Sequence, residues 1–197
     1  AVADAALAAG SEDISSLQLD GVSVDERRRD MVATIGENIT ARRAAIVTAA
    51  GTLGSYIHSN NRIGVLVALE GGDEELAKGL AMHIAASNPA YLDDSAVPED
   101  VLEKEREVIR AQSEGSGKPA EIIEKMVEGR LRKYLGEITL LGQPYALDPD
   151  TTVGKLLKAA GATVSEFVRM EVGEGIEKEE SDFAAEVKAQ AEAAQNG

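Results

Sequence analysis

The spacing of apolar residues changes several times along the chain, and each change predicts a different element. Ser23 is followed three residues later by Glu26, a pairing typical of a helix start, and the helix is expected to end at Gly36. Between residues 39 and 50, apolar and β-branched residues fall on alternate sides, which predicts a short strand. The first quarter of the chain therefore combines a helix with a strand.

Two apolar runs, residues 55–57 and 62–69, then flank the polar loop 58–61. Such a loop of turn-forming residues between apolar runs is typical of an antiparallel hairpin. The glycines at positions 51 and 54 predict a turn before the hairpin. From residue 76 to residue 87 the apolar residues recur every fourth position, which predicts a helix that packs on the hairpin.

Residues 98–136 are richer in charge, and their apolar residues narrow to a seam that is interrupted at 114–119. This pattern predicts two antiparallel helices that form a projecting coiled-coil hairpin. Mixed structure follows, with a helix at 152–160 and a strand at 167–172. A thin apolar stripe then predicts a C-terminal helix over residues 176–197.

These elements together predict an α+β fold. It consists of an antiparallel sheet with packed helices, a protruding antiparallel helical hairpin (coiled coil) and a C-terminal helix. The apolar stripe of the last helix is too thin to hold it alone, since short isolated helices are marginal in water. We therefore expect it to dock on the core or on a partner.

The charge and composition of the chain exclude some classes of binding partner. Thirty-five acidic residues against twenty basic ones give a formal charge of −15, which opposes binding to phosphate backbones and anionic lipids. Neither nucleic acid nor a membrane is a predicted partner. The longest apolar run, residues 63–69, is far shorter than the roughly 20 residues of a membrane helix. The first residues lack the pattern of an export signal, so a cytoplasmic location is predicted.

Candidate chemistry is sparse. The chain has no cysteine and two histidines, so no metal or cofactor is predicted. Residues 148–159 resemble a calcium loop faintly, but Ala159 stands where the bidentate glutamate belongs. His83, inside an apolar helix, is interpreted as a core histidine. His58 lies in an exposed loop without a neighbouring nucleophile or orienting acid, which favours a contact role over a catalytic one.

Seven ordered segments carry a resemblance to a known family. They are IGENI at 35–39, GSYIH at 54–58, RIGVLV at 62–67, AMHIAAS at 81–87, KMVEGR at 125–130, GQPYALDP at 142–149 and RMEVGEGIE at 169–177. In this order they resemble bacterial elongation factor Ts over about residues 23–197. The resemblance implies a guanine nucleotide exchange factor for the translational GTPase elongation factor Tu. It does not imply an enzyme that acts on a substrate.

The family layout also implies a division of the chain. The expected units are a remnant of the N-terminal subdomain at 1–22, a first core part at 23–97, the hairpin at 98–136, a second core part at 137–175 and the C-terminal module at 176–197.

The family's contact positions fall on six residues of this chain. Ile35 and Gly36 match one contact segment, and His58 matches the histidine that reaches the GTPase domain. Ala146 and Leu147 fall where the family contacts the far domains of the GTPase. Phe183 belongs to the C-terminal module, which lies on the GTPase domain in the family.

One departure from the family pattern affects the expected activity. The family's Thr-Asp-Phe motif, which wedges into the GTPase near its magnesium site, does not occur in the 197 residues. Ser181-Asp182-Phe183 looks similar but matches the family's tail. We therefore expect that the chain is truncated relative to the family, and that its binding to the GTPase is retained better than its nucleotide exchange activity.

Two other readings stay open. The first is a coiled-coil adaptor whose hairpin pairs with another helix pair, and in the family the hairpin also serves homo-oligomer contacts. The second is an acid–base enzyme that uses His58, with activity that depends on pH near the histidine pKa of about 6.5.

Overall fold

The computed structural model describes residues 1–114 and 117–176, and it confirms the predicted α+β class. The described helices are α1 (Val2–Ala9), α2 (Val24–Ile35), α3 (Glu74–Ser87), α4 (Glu99–Glu114), α5 (Ala120–Ile138) and α6 (Val153–Ala160). The described strands are β1 (Gln18–Leu19), β2 (Val22–Ser23), β3 (Thr52–Ile57), β4 (Ile63–Glu70), β5 (Pro144–Tyr145), β6 (Asp148–Thr152) and β7 (Thr163–Glu171).

The main sheet has three antiparallel strands in the order β3-β4-β7. Strand β4 lies in the middle, and its alternate residues Val65, Val67 and Leu69 are buried, as the period of two in the sequence requires. The β3–β4 hairpin was predicted from its apolar runs and is confirmed. Strand β7 was also predicted, although it begins at Thr163, four residues before the expected start.

Helix α3 covers one face of this sheet, as predicted. Its start is capped by Asp73, whose carboxylate accepts a hydrogen bond from the Leu76 amide at 2.8 Å. Leu80 and Ile84 are fully buried against the sheet, and Asn88 ends the helix in the left-handed conformation. The same core continues into α6, the helix expected at 152–160, which is capped by Thr152 and begins at Val153.

Helices α4 and α5 pack against each other, which agrees with two helices in residues 98–136. Ile109 and Val127 are buried, and Arg110 pairs with Glu124 at 3.1 Å. Since Arg110 lies near the end of α4 and Glu124 near the start of α5, the two helices run in opposite directions. The description of this pair as a coiled coil stays a prediction.

The N-terminal elements form a second, smaller core. Ala6 of α1, Leu17 and Val24 of α2 are buried together. Ser23 accepts a hydrogen bond from the Glu26 amide at 3.2 Å, so the predicted helix start is confirmed. Gly36 ends α2 with φ 78°, a left-handed value that glycine adopts readily, and the predicted end is also confirmed.

Two local predictions were wrong. Residues 37–50 contain no strand, because their backbone does not join the ladder of the described sheets. Arg43 instead pairs with Glu174 at 2.6 Å, and the Ile46 amide donates to the Glu12 carboxylate at 2.7 Å. Gly54 is not in a turn but inside β3, where the absence of a side chain lets α3 approach closely.

The predicted C-terminal helix over 176–197 falls almost wholly outside the described residues, and so does Phe183. Within the described part of the chain, no helix has the length and apolar character needed to cross a bilayer.

Candidate partner-binding surface

The first predicted contact lies where α2 ends. Ile35 is the last residue of the helix, and its side chain is 52% exposed. Met31, one turn earlier, is also exposed, and residues four apart lie on the same face of a helix. Gly36 donates its amide to the Val32 carbonyl at 2.9 Å and turns the chain away. The helix end therefore presents a short apolar stripe.

The second predicted contact, His58, begins the turn between β3 and β4. Its amide donates to the Ile63 carbonyl at 2.9 Å, and its carbonyl accepts from the Asn61 amide at 2.8 Å. Asn61 adopts a left-handed φ of 56°, which asparagine tolerates better than most residues. These bonds hold the backbone of the turn, so His58 is placed by the hairpin itself.

The surroundings of His58 do not favour a catalytic role. The side chain is half-buried, and its Nδ1 atom is shielded from solvent without a hydrogen-bond partner among the described residues. The Tyr56 ring meets the imidazole edge-on, with centroids 6.3 Å apart. A general base needs a proton donor within hydrogen-bond reach and a group that orients it. Within the described part of the chain neither is bonded to this imidazole.

The third predicted contact lies at the tip of the small β5–β6 hairpin. Tyr145 pairs with Asp148, so Ala146 and Leu147 form the two-residue loop between them. Both are exposed, and the Leu147 side chain is 61% accessible. An apolar side chain at a loop tip contributes little to the core, which is typical of a contact position.

A residue that the sequence did not connect with the site, His83, supports this loop. It is fully buried, as its interpretation as a core histidine required. Its Nδ1 accepts the Ala146 amide at 3.1 Å, and its Nε2 lies 3.0 Å from Gln143 Oε1. Burial lowers the pKa of His83, while the Gln143 hydrogen bond opposes this shift. The sequence did contain a signal for this role. A histidine inside an apolar helix is expected to be buried, and a buried imidazole needs polar partners from another part of the chain.

Tyr145 fixes the other side of the same loop. Its ring is buried with a centroid 5.8 Å from that of His83, and its hydroxyl rests against the backbone of Gly79 in α3. Burial raises the pKa of Tyr145, and Glu75 adds to the shift. Beside Leu147, an apolar hollow of about 350 Å³ opens over α3, lined in part by Leu76, Met82 and Leu156.

A second and larger groove, of about 650 Å³, runs beside the turn that carries His58. Its apolar lining includes Ile57, Val172 and Ile176, which are all exposed. Arg43 also lines the groove, and its ion pair with Glu174 lowers the pKa of that carboxyl group. The groove thus combines apolar walls with a basic rim.

The three described contact segments lie on three different elements: the end of α2, the β3–β4 turn and the β5–β6 loop. The roles of Ile35, Gly36, His58, Ala146 and Leu147 in binding stay predictions. Across residues 1–114 and 117–176, no group of three or more His, Asp or Glu side chains is arranged to hold a metal ion.

Turns and loops held by a packed core are where residues that contact other molecules are often placed, which is the arrangement expected of a protein that binds other proteins. Comparison with known proteins identifies the family within this class. The family model for elongation factor Ts matches residues 1–174. The chain therefore belongs to the elongation factor Ts family, a family of translation elongation factors.

Its relatives include elongation factor Ts of Thioalkalivibrio sulfidiphilus (strain HL-EbGR7), 58% identical over 98% of this chain and 67% of the relative. Elongation factor Ts of Alcanivorax borkumensis is 58% identical over 96% of this chain and 68% of the relative. That of Methylococcus capsulatus is 59% identical over 88% of this chain and 59% of the relative. The chain thus spans about two thirds of the length of the first two relatives and somewhat less of the third.

Proposed function

We propose that this chain acts as a guanine nucleotide exchange factor for elongation factor Tu, promoting GDP release and GTP loading during polypeptide elongation in the cytoplasm. Family membership supports this proposal. The observation that carries it is that Ile35, His58 and Leu147, which the resemblance assigns to contact positions, all lie at chain reversals or helix ends. Ile35 and Leu147 present exposed apolar side chains there.

The physical basis of exchange is differential affinity. A factor accelerates GDP release only if it binds the nucleotide-free or distorted GTPase more tightly than the GDP-bound form. GDP and its magnesium ion are held by backbone amides, a lysine and coordinated oxygens in such GTPases. Small displacements of these groups remove several charge-assisted bonds, so modest binding free energy at the surface can speed release.

We also propose that the chain binds elongation factor Tu better than it exchanges nucleotide. The 197 residues contain no Thr-Asp-Phe motif, whereas the contact positions at Ile35, His58 and Leu147 are present. Binding and exchange then separate, because contact residues supply affinity and the wedge supplies the distortion near the magnesium ion.

Two measurements on the full chain test these proposals together. Release of a fluorescent GDP analogue from elongation factor Tu is followed at sub-stoichiometric amounts of the chain, beside a direct binding titration. Tight binding with release that is only modestly faster than the spontaneous rate supports both proposals, whereas tight binding without any acceleration contradicts the exchange activity. Fast release supports exchange but contradicts the separation, and the absence of binding contradicts the proposed function.

Matched variants test the individual contacts. Ile35→Ala and His58→Ala are expected to weaken binding, each by about 1–2 kcal/mol if the side chain is buried at the interface. Leu7→Ala is the control for Ile35, because Leu7 is 71% exposed and lies outside the family's contact positions. Ser59→Ala is the control for His58, since Ser59 is exposed in the same turn. Equal effects of test and control variants would contradict the assignment of these contacts.

A second role is favoured by the exposed apolar residues of the helical hairpin. Val108 of α4 and Ile122 of α5 are exposed, although both helices have an otherwise charged surface. We propose that the hairpin, residues 98–136, forms a unit that pairs with a second copy of the chain or acts as an adaptor. Sedimentation of the chain and of a Val108→Glu variant tests this role, and a monomer at all concentrations contradicts the pairing of copies.

The remaining division of the chain is also a proposal. We place a remnant of the N-terminal subdomain at 1–22, the two parts of the core at 23–97 and 137–175, and the C-terminal module with Phe183 at 176–197. The boundary at 22/23 falls inside β2 and the boundary at 136/137 falls inside α5. Limited proteolysis followed by mass spectrometry is therefore expected to cleave at the other two boundaries, near 97/98 and 175/176, and cleavage elsewhere would contradict them.

A further inference from the structure

The loop that presents Leu147 lacks the residues that usually close a two-residue hairpin. Loops of this length favour left-handed φ angles and therefore glycine, asparagine or aspartate. Among described residues other than glycine, positive φ occurs at Asp20, Asn61 and Asn88, so Ala146 and Leu147 both have negative φ. The β5–β6 pairing is also irregular between Pro144 and Tyr145. The loop is therefore not of the type that two-residue hairpins favour, so a bond from outside the loop can contribute to its conformation.

His83 supplies a bond to the loop itself. The Ala146 amide donates to His83 Nδ1 at 3.1 Å across 63 residues of sequence. Tyr145 and Gly79 also fix the hairpin, but they act on the strand before the loop. The bond from Ala146 therefore holds the backbone of the loop at the residue directly before Leu147.

The hydrogen bonds around His83 define its tautomer. Gln143 Nε2 donates to the Glu137 carbonyl at 2.7 Å, which leaves Gln143 Oε1, an acceptor, facing the imidazole. His83 Nε2 must therefore carry a proton, and Nδ1 keeps a lone pair for the Ala146 amide. A protonated imidazole would present an N–H to this amide, so the arrangement requires the neutral ring.

We infer that His83 is a positioning residue for partner binding. It holds the Ala146 amide so that the exposed Leu147 side chain is presented in one orientation to elongation factor Tu. This role rests on the proposed function and adds to it a buried residue that does not itself touch the partner. A loop fixed before association loses less conformational entropy on binding, so His83 raises affinity through Leu147.

Two substitutions separate positioning from packing. His83→Leu fills a similar space and removes the acceptor, whereas His83→Asn keeps a side-chain oxygen near the position of Nδ1. We expect His83→Leu to weaken binding of the full chain to elongation factor Tu by about twofold to tenfold, the range that corresponds to the net contribution of one hydrogen bond. His83→Asn should recover most of this loss. Equal weakening by both variants, or no weakening by either, would overturn the role.

A double-mutant cycle with Leu147→Ala shows whether His83 acts through that side chain. If it does, His83→Leu has little further effect once Leu147 is alanine, whereas independent effects multiply and overturn the inference. Hydrogen exchange of the Ala146 amide in the free chain gives a second readout. This amide belongs to an exposed residue but should exchange slowly in wild type and His83→Asn, and quickly in His83→Leu. Fast exchange in wild type would contradict the bond.

The failure of this inference is distinguishable from failure of the proposed function. A wild-type chain that does not bind elongation factor Tu overturns the proposed function and the positioning role with it. A wild-type chain that binds, with His83→Leu binding equally well, overturns the positioning role alone.

Discussion

Strand β3 and helix α3 approach each other most closely at Gly54, and this contact gives a sharp prediction. A methyl group built on Gly54 would lie 2.4 Å from the Ala77 carbonyl oxygen and 2.9 Å from the Ala77 Cβ. Both partners are fixed, one by the ladder to β4 and the other by the bonds of the helix. Gly54→Ala therefore forces the helix away from the sheet by about 1 Å, since nonbonded carbon contacts lie at about 3.5 Å or more.

Two effects of this substitution oppose each other. Alanine restricts the unfolded chain and so stabilises the fold by about 0.4–1 kcal/mol. Overpacking destabilises by about 1–3 kcal/mol and occasionally more. Because the displaced helix carries the fully buried Leu80 and Ile84, we expect overpacking at the upper end of its range. The net expectation is a loss of about 2 kcal/mol in the free energy of unfolding, or roughly 4–8 °C in Tm for a chain of this length.

Urea unfolding followed by far-UV circular dichroism measures this loss, and Gly64→Ala is the matched control. Gly64 lies in the neighbouring strand β4, and no atom lies within 4 Å of a Cβ built there. We expect Gly64→Ala to leave stability unchanged or to raise it by up to about 1 kcal/mol. If Gly54→Ala is as stable as wild type, or if both variants lose the same free energy, the reasoning from close approach is refuted.

Three further predictions concern the N-terminal core and the residues that hold the β5–β6 loop. Gly79→Ala would place a Cβ against the Tyr145 hydroxyl, so we expect the tyrosine fluorescence of the chain, to which Tyr145 contributes one of four rings, to become more accessible to acrylamide, and unchanged quenching would contradict this contact. Burial lowers the pKa of His83, so the unfolded chain binds the proton first and stability should fall as pH drops below about 6.5. His83→Asn should flatten this dependence in urea titrations at several pH values, and an unaltered slope would assign it to other groups. Ser23→Ala removes the cap on the Glu26 amide and should destabilise the N-terminal core by about 1 kcal/mol in thermal unfolding, whereas no change would show that α2 does not depend on it.

The sequence predicted those elements whose stability depends on local pattern. The β3–β4 hairpin, helix α3 and the capped start of α2 all followed from period, turn residues or capping residues. The prediction of a strand at 39–50 was wrong. Alternating apolar residues show that a segment would suit a sheet, but they do not provide the neighbouring strand with which it must pair. In the structure Arg43 of this segment finds Glu174, a partner 131 residues away that no local pattern reveals.

In the candidate site, too, some features could be predicted from the sequence and others depend on residues far apart in the chain. Ile35, His58 and Leu147 were predicted from sequence segments that resemble the family. The exposure of Ile35 and Leu147 follows from a helix end and a loop tip, whereas His58 is half-buried in its turn. The support of the Leu147 loop could not be read locally, because His83 and Gln143 are 60 residues apart. The apolar period correctly placed His83 inside α3, but period alone does not say which polar groups a buried imidazole will bond.

If the proposed contacts are made, rigid support of the contact residues matters for nucleotide exchange in particular. Binding free energy that distorts the GTPase must be transmitted by a surface that does not itself give way. A flexible loop would change its own conformation on binding. The binding free energy would then be used to order the loop of the exchange factor and not to displace the nucleotide site of the GTPase. If Leu147 and His58 contact the GTPase as proposed, the Ala146–His83 bond would oppose this outcome at Leu147, and the hydrogen bonds of the hairpin turn would oppose it at His58. Weakening either support should therefore reduce affinity for the nucleotide-free GTPase more than affinity for the GDP-bound form, and comparison of the two dissociation constants measures that difference.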